Sequence, residues 1–215
     1  MLGRRDVLKV AGISVAIAAR RAWAAPPEFW EAKPPAEWTG DEVHSILTDS
    51  PWATTGLVRD AGVERLNTSA PWTGLPTKTK PWKVTVRWES APPIQAVLHS
   101  PEEVVNEEFQ KYYVISLAGD ARVTGLLAAD RELGGKLSVL RSNTKLEQQN
   151  APPLELDKLE EVSQEPQRAL WFYFSRRRVI TAAAGYLYFG TMIGRFQVMA
   201  KFDAGKMLYH GRLAV

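Results

Sequence analysis

The chain has 215 residues, of which 45% are hydrophobic and 24% charged, a balance that is typical of one globular domain and excludes a largely disordered chain. It contains no cysteine, which excludes disulfides, iron–sulfur clusters and thiolate chemistry. The formal net charge is +3, but residues 1–24 carry +4, which leaves −1 for the remainder. We therefore expect no attraction to nucleic acid once that segment is removed.

The first 24 residues have the order of parts found in an export signal. Arg4 and Arg5 precede an apolar stretch of ten residues, Val10 to Ala19, and small residues follow at Ala22 and Ala24. The apolar stretch is about half as long as a membrane-spanning helix, so we expect no permanent membrane span. The small residues predict cleavage by signal peptidase after Ala24.

The motif "RRDVLK" at residues 4–9 resembles the twin-arginine signal, in which paired arginines precede an apolar pair and often a lysine. Leu8 matches that pattern, whereas Val7 stands where phenylalanine is usual. The resemblance implies the twin-arginine translocase as a partner, folding before transport, and a periplasmic or extracellular location. A general-secretion signal and an amphipathic helix that stays on the protein are the alternatives.

After the signal, a proline-rich lead-in at residues 25–40 precedes a single globular domain at 41–215. Trp30 and Trp38 are expected to pin the lead-in to that domain. Thr39 and Glu42 have the spacing of a capping box, which predicts a helix start. Ser50-Pro51 predicts its end, because the residue before proline avoids helical geometry.

Several apolar patterns downstream predict strands. Residues 82–89 alternate, with Trp82, Val84, Val86 and Trp88 on one face. The runs at 112–119 and 169–175 are apolar throughout, as in buried strands. Ser100 is expected to cap a helix, residues 123–133 to form another, and residues 136–142 to return as a strand.

The end of the sequence predicts a β-hairpin. Residues 195–202 and 207–215 both alternate, and the intervening "DAGK" would turn with Gly205 at positive φ. Together these elements predict a mainly β fold with short helices (α+β), arranged as an antiparallel sheet or a two-layer sandwich.

Three segments resemble a family of uncharacterised exported bacterial proteins: "LTDSPWA" (47–53), "VRWESAPPI" (86–94) and "KFDAGKMLYHGRLAV" (201–215). The resemblance spans most of the mature chain and implies one folded unit. It brings no activity, substrate or catalytic residue.

Local motifs give little support to catalysis. The three histidines, His44, His99 and His210, stand alone in the sequence, so we predict no metal site and no cofactor. No nucleophile or phosphate-loop motif is present in the mature chain. Carboxylates such as Asp49 and Glu89 leave open a hydrolase that uses carboxylates, or a carboxylate and a histidine, brought together by folding.

Tryptophan is the unusual feature of the composition, since six of the eight lie between residues 30 and 88. An aromatic platform for a glycan at Trp38, Trp52 or Trp72, with Asp49 beside it, is one interpretation. The alternative is that Trp38 and Trp52 are buried in the core. Ser50 would then hydrogen-bond to backbone groups at the end of the preceding helix. We predict a non-enzymatic domain that binds an envelope protein or glycan, with a periplasmic hydrolase as the alternative.

Overall fold

The computed structural model describes residues 28–61, 82–98, 107–119, 137–149, 151–164 and 167–215. Eight antiparallel strands close into a barrel in the order β1-β2-β3-β6-β5-β4-β7-β8. Their bounds are β1 Ala53–Asp60, β2 Trp82–Trp88, β3 Tyr112–Gly119, β4 Lys145–Gln148, β5 Ala151–Gln164, β6 Gln167–Ser175, β7 Tyr186–Ile193 and β8 Phe196–Asp203.

The barrel closes because its first and last strands pair with each other. Val58 of β1 lies opposite Val198 of β8, while Thr54 of β1 lies opposite Val86 of β2. The mainly β part of the predicted fold class is therefore confirmed, but the open antiparallel sheet or two-layer sandwich is wrong. A closed barrel leaves neither of these strands as an edge.

The interior of the barrel is filled by large side chains. The alternation predicted for β2 is confirmed, since Val86 and Trp88 are fully buried and Trp82 packs on Phe196 with ring centroids 5.1 Å apart. Gly56 makes room for this packing, because a Cβ there would lie 2.5 Å from Cγ2 of Val86. Other strands contribute the buried side chains Val58, Ile115, Leu117, Phe172, Phe174, Phe189 and Val198.

A second apolar cluster lies on the outer face of β3 and β6. It contains Val114, Ala118, Ala169, Trp171 and Tyr173, all buried, together with Phe109. The rings of Phe109 and Trp171 have centroids 5.6 Å apart. β6 is thus buried on both faces, as its uninterrupted apolar sequence predicts.

In the described part of the chain, five short helices accompany the barrel. The capping box that begins α2 is confirmed: the Glu42 N–H donates to Thr39 Oγ1 at 3.3 Å, and the Thr39 N–H donates to Glu42 Oε2 at 2.8 Å. Lys33 donates to the same carboxylate, and these hydrogen bonds hold the pKa of Glu42 below its usual value. The helices are α1 Phe29–Ala32, α2 Gly40–Thr48, α3 Pro92–Leu98, α4 Glu107–Lys111 and α5 Leu137–Ser142, with 3₁₀ turns at Pro35–Glu37 and Ala182–Ala184.

Helix α5 corrects the strand predicted at 136–142. A run of six residues in which leucines stand three apart fits a helical turn as well as a strand, and the structure selects the helix. Leu140 is buried, which orients α5 on the barrel. The predicted helix at 123–133 and the cap at Ser100 lie outside the described residues.

The predicted C-terminal hairpin is also wrong in its pairing. Strand β9 (Leu208–Tyr209) pairs with β10 (Arg212–Leu213) in a sheet of its own, whereas β8 pairs with β1 and β7. The positive φ angles fall at His210 (50°) and Gly211 (70°) rather than at Gly205. Two successive residues of this kind form the type I′ turn that joins two short strands.

The barrel end at which β1 begins is covered by tryptophans. The predicted anchoring by Trp30 and Trp38 is confirmed, because both are buried in the main core. Trp52 is fully buried beside Trp30, with ring centroids 5.6 Å apart, and its indole N–H donates to the Ala214 carbonyl at 2.6 Å. No helix within the described ranges is long and apolar enough to cross a membrane.

Candidate functional site

An open cleft of about 850 Å³ lies at the covered end of the barrel. Its walls come from α1, from the end of α2, from the start of β1, from the end of β8 and from the β9–β10 hairpin. The polar lining residues are Glu28, Glu31, Ser45, Asp49, Ser50, Thr54, Lys201, Asp203 and Lys206, and Phe29, Trp30, Pro51, Phe202, Leu208 and Gly211 complete the lining.

The end of α2 places Asp49 at the cleft. The Asp49 N–H donates to the Ser45 carbonyl at 2.8 Å, and the Ser45 hydroxyl donates to the Asp49 carbonyl at 3.2 Å. Ser50 then ends the helix: its hydroxyl donates to the Ile46 carbonyl at 2.8 Å and accepts from the Trp52 N–H at 3.3 Å. The turn is fixed by the backbone and by the two serine hydroxyls, and the Asp49 side chain is exposed at the cleft.

A second wall is formed where the hairpin docks on α1. Glu31 accepts a hydrogen bond from the His210 N–H at 2.7 Å, and its other oxygen lies 3.9 Å from His210 Nδ1. Tyr209 packs edge-on against Trp52, with centroids 6.3 Å apart. Burial and the nearby Glu31 carboxylate raise the pKa of Tyr209.

The third wall, at the end of β8, carries both signs of charge. Lys201 is exposed, and Asp203 accepts a hydrogen bond from the Gly205 N–H at 3.0 Å. Lys206 follows in the same turn and donates its N–H to the Asp203 carbonyl at 3.0 Å. The whole cleft therefore carries four carboxylates and two ammonium groups beside hydroxyls and aromatic rings.

The structure separates the residues predicted as a ligand site. Asp49 lines the cleft, but Trp38 and Trp52 are 8% and 0% exposed. Their indole N–H groups donate to the carbonyls of Lys33 and Ala214, so neither ring is an exposed stacking platform. Trp72 lies outside the described residues.

The export-signal residues Arg4, Arg5, Leu8, Ala22 and Ala24 also lie outside the described residues.

The carboxylate and histidine candidates lie in separate places. Glu89 is buried and pairs with Arg87, whose Nε donates to Glu89 Oε1 at 2.9 Å. His44 is exposed on α2, and the described residues include no group of three or more potential metal ligands. Three consecutive arginines follow β6: Arg176 lies over the Tyr113 ring at 4.2 Å, Arg177 is exposed, and Arg178 donates to the Pro152 carbonyl.

Sequence reasoning missed most of the cleft. Glu31 stands in the proline-rich lead-in, and Lys201 and Asp203 stand at the end of an alternating strand. Each is an ordinary surface residue in its local context. Charged residues at the ends of strands and in loops meet at the end of a barrel, where binding residues are common. To predict which of them meet, however, the order of the strands must be known.

Comparison of the chain with protein-family models, with curated proteins and with solved structures gives no match. The resemblance of three segments to exported bacterial proteins therefore stays a prediction from the sequence.

Proposed function

We propose that this protein is exported and binds a component of the cell envelope in the cleft between α1, α2 and the β9–β10 hairpin. The observation that carries the proposal is the cleft itself, which is concave, of ligand size, and lined by hydroxyls, both signs of charge and aromatic carbon. The order of parts in residues 1–24 supports export.

The packing of the barrel supports binding at its end rather than inside it. Eight-stranded barrels have interiors just wide enough to be filled by side chains or to hold one small ligand. Here the interior positions hold Phe172, Phe174, Phe189 and Trp88, each at most 1% exposed. The cleft instead offers an open surface to a polar partner.

A hydrolase is the second candidate, because four carboxylates border the cleft. A carboxylic acid that donates a proton at neutral pH needs a raised pKa, which burial against apolar surface supplies. Asp49 and Glu28 are exposed, and Glu31 and Asp203 each accept a backbone N–H. These features favour recognition of a ligand over proton transfer to it.

Cross-linking in intact cells tests the cleft as a binding site. We expect a photoreactive residue placed by Ser45→p-benzoylphenylalanine to give one discrete adduct with an envelope component, because Ser45 lines the cleft. Arg177→p-benzoylphenylalanine, on an exposed loop, is the matched control and should give none. Equal adducts at both positions, or none at either, would contradict the proposal. Cleavage of the captured component, lost in Asp49→Asn, would instead identify the hydrolase.

Export is tested by replacing the arginine pair. In Arg4→Lys/Arg5→Lys we expect the precursor to accumulate in the cytoplasm, because the resemblance at residues 4–9 implies recognition of the arginines themselves. Pulse-chase labelling followed by fractionation measures the mature form. Arg20→Lys/Arg21→Lys is the control and should be exported. If the first variant matures at the normal rate, the twin-arginine route is wrong.

A further inference from the structure

Two tyrosines stand on the outer face of β7, beside the cleft. Tyr186 and Tyr188 are 41% and 42% exposed, although most aromatic rings of the described strands are buried. They are two positions apart on one strand, so both point away from the barrel. Their ring centroids are 6.4 Å apart and their planes are inclined at 56°. We call this pair the tyrosine strip.

Lys201 connects the tyrosine strip to the cleft. It lies opposite Tyr188 in the pairing of β7 with β8, and its Nζ is 3.4 Å from the centroid of Tyr186 and 5.7 Å from that of Tyr188. Lys201 is also part of the cleft lining. The Lys201 ammonium group therefore contacts the tyrosine rings and also borders the cleft. The tyrosine strip and the cleft thus form one continuous surface.

We propose that the ligand of the cleft is a neutral glycan chain, whose further sugar units run out of the cleft and over the tyrosine strip. The inference rests on the proposed function and names its ligand class. Sugar rings present a C–H face that packs on aromatic rings and a rim of hydroxyls that bond to carboxylates and amines.

The charges favour a neutral chain over a polyanion. Four carboxylates and two ammonium groups line the cleft, so a phosphate-rich or uronic acid polymer would meet net repulsion. Mixed carboxylates and amines instead suit hydroxyls, which both donate and accept hydrogen bonds. Across the strip, Glu147 of β4 lies opposite Tyr188, which adds one more acceptor beside the rings.

The test compares the lengths of neutral oligosaccharides. The probes are the disaccharide and hexasaccharide of the chito-, cello- and malto- series, titrated calorimetrically against the mature chain from residue 25. We expect one hexasaccharide to bind at least tenfold more tightly than its disaccharide. Tyr186→Ala/Tyr188→Ala should remove this advantage, with each ring accounting for a factor of about three to ten. Tyr186→Phe/Tyr188→Phe should retain it, because the rings remain.

Controls separate the tyrosine strip from the cleft. Val179→Ala changes another exposed apolar side chain, 72% exposed, and should leave both affinities unchanged. If Tyr186→Ala/Tyr188→Ala binds the hexasaccharide as tightly as the unaltered chain, the strip is not part of the site, whereas binding lost in Asp49→Ala would still uphold the cleft. If none of the hexasaccharides binds, the glycan inference is overturned, and cross-linking at Ser45 decides the proposed function independently. Self-association lost in Tyr186→Ala/Tyr188→Ala would make the strip a dimer contact and also overturn it.

Discussion

Val86→Asp is expected to lower the free energy of unfolding by about 4 kcal/mol or more. Val86 is fully buried on the inner face of β2, between Thr54 of β1 and Leu117 of β3. A carboxylate at this position loses its hydration and meets the methyl groups of a packed interior. Denaturant unfolding, followed by tryptophan fluorescence, measures the loss as a shift of the midpoint.

Lys83→Asp is the matched control for this change. Lys83 is exposed on the same strand, three positions before Val86, so the same new side chain stays in water. We expect its effect to be within about 0.5 kcal/mol. Equal midpoints for Val86→Asp and the unaltered protein would mean that β2 does not contribute its valines to the interior.

Arg87→Met is the second change expected to have a large effect, about 3–5 kcal/mol in the free energy of unfolding. Arg87 Nη2 and Nε each lie 2.9 Å from Glu89 Oε1, and Ser116 donates to the same oxygen. Glu89 is 1% exposed, and its Oε2 has no hydrogen-bond partner among the residues that the structure describes. Removing the guanidinium leaves a buried carboxylate without its counter-charge.

The double variant Arg87→Met/Glu89→Leu distinguishes the effect of breaking the ion pair from other effects of replacing Arg87. Since both charges are gone, we expect most of the stability lost in Arg87→Met to return, leaving about 1 kcal/mol for the unpaired Ser116 hydroxyl. The free energies of unfolding of Arg87→Met, Glu89→Leu and the double variant, each compared with the unaltered protein, give the interaction energy between Arg87 and Glu89. A double variant no more stable than Arg87→Met would show that the ion pair does not determine the loss.

Local patterns predicted the strands but not their arrangement. The alternation of β2 and the unbroken apolar run of β6 are properties of a few successive residues, so both could be read from the sequence. Closure of the barrel depends on β1 meeting β8, whose partners Val58 and Val198 are far apart in the chain. An alternating pattern buries one face equally well in a sandwich and in a barrel, which is why the sandwich was predicted.

The same distinction applies to the candidate site. Asp49 was identified because a carboxylate beside a helix end is conspicuous in the sequence, and it lines the cleft. The sequence places Trp52 in the same candidate site, but the structure buries its ring in the core, where its indole N–H donates to the Ala214 carbonyl. In "GYLYFG" the tyrosines alternate with Leu187 and Phe189, which predicts one face for both tyrosines but not that this face adjoins a cleft.

The contact between Glu31 and the His210 N–H joins residues 179 positions apart. One wall of the cleft is thus made from residues that leave the ribosome early, and another from residues that leave it much later. The cleft cannot be assembled on a nascent chain until the β9–β10 hairpin has emerged and docked on α1. A translation product truncated before Leu208 would therefore lack the β9–β10 wall of the cleft even where its earlier strands had paired.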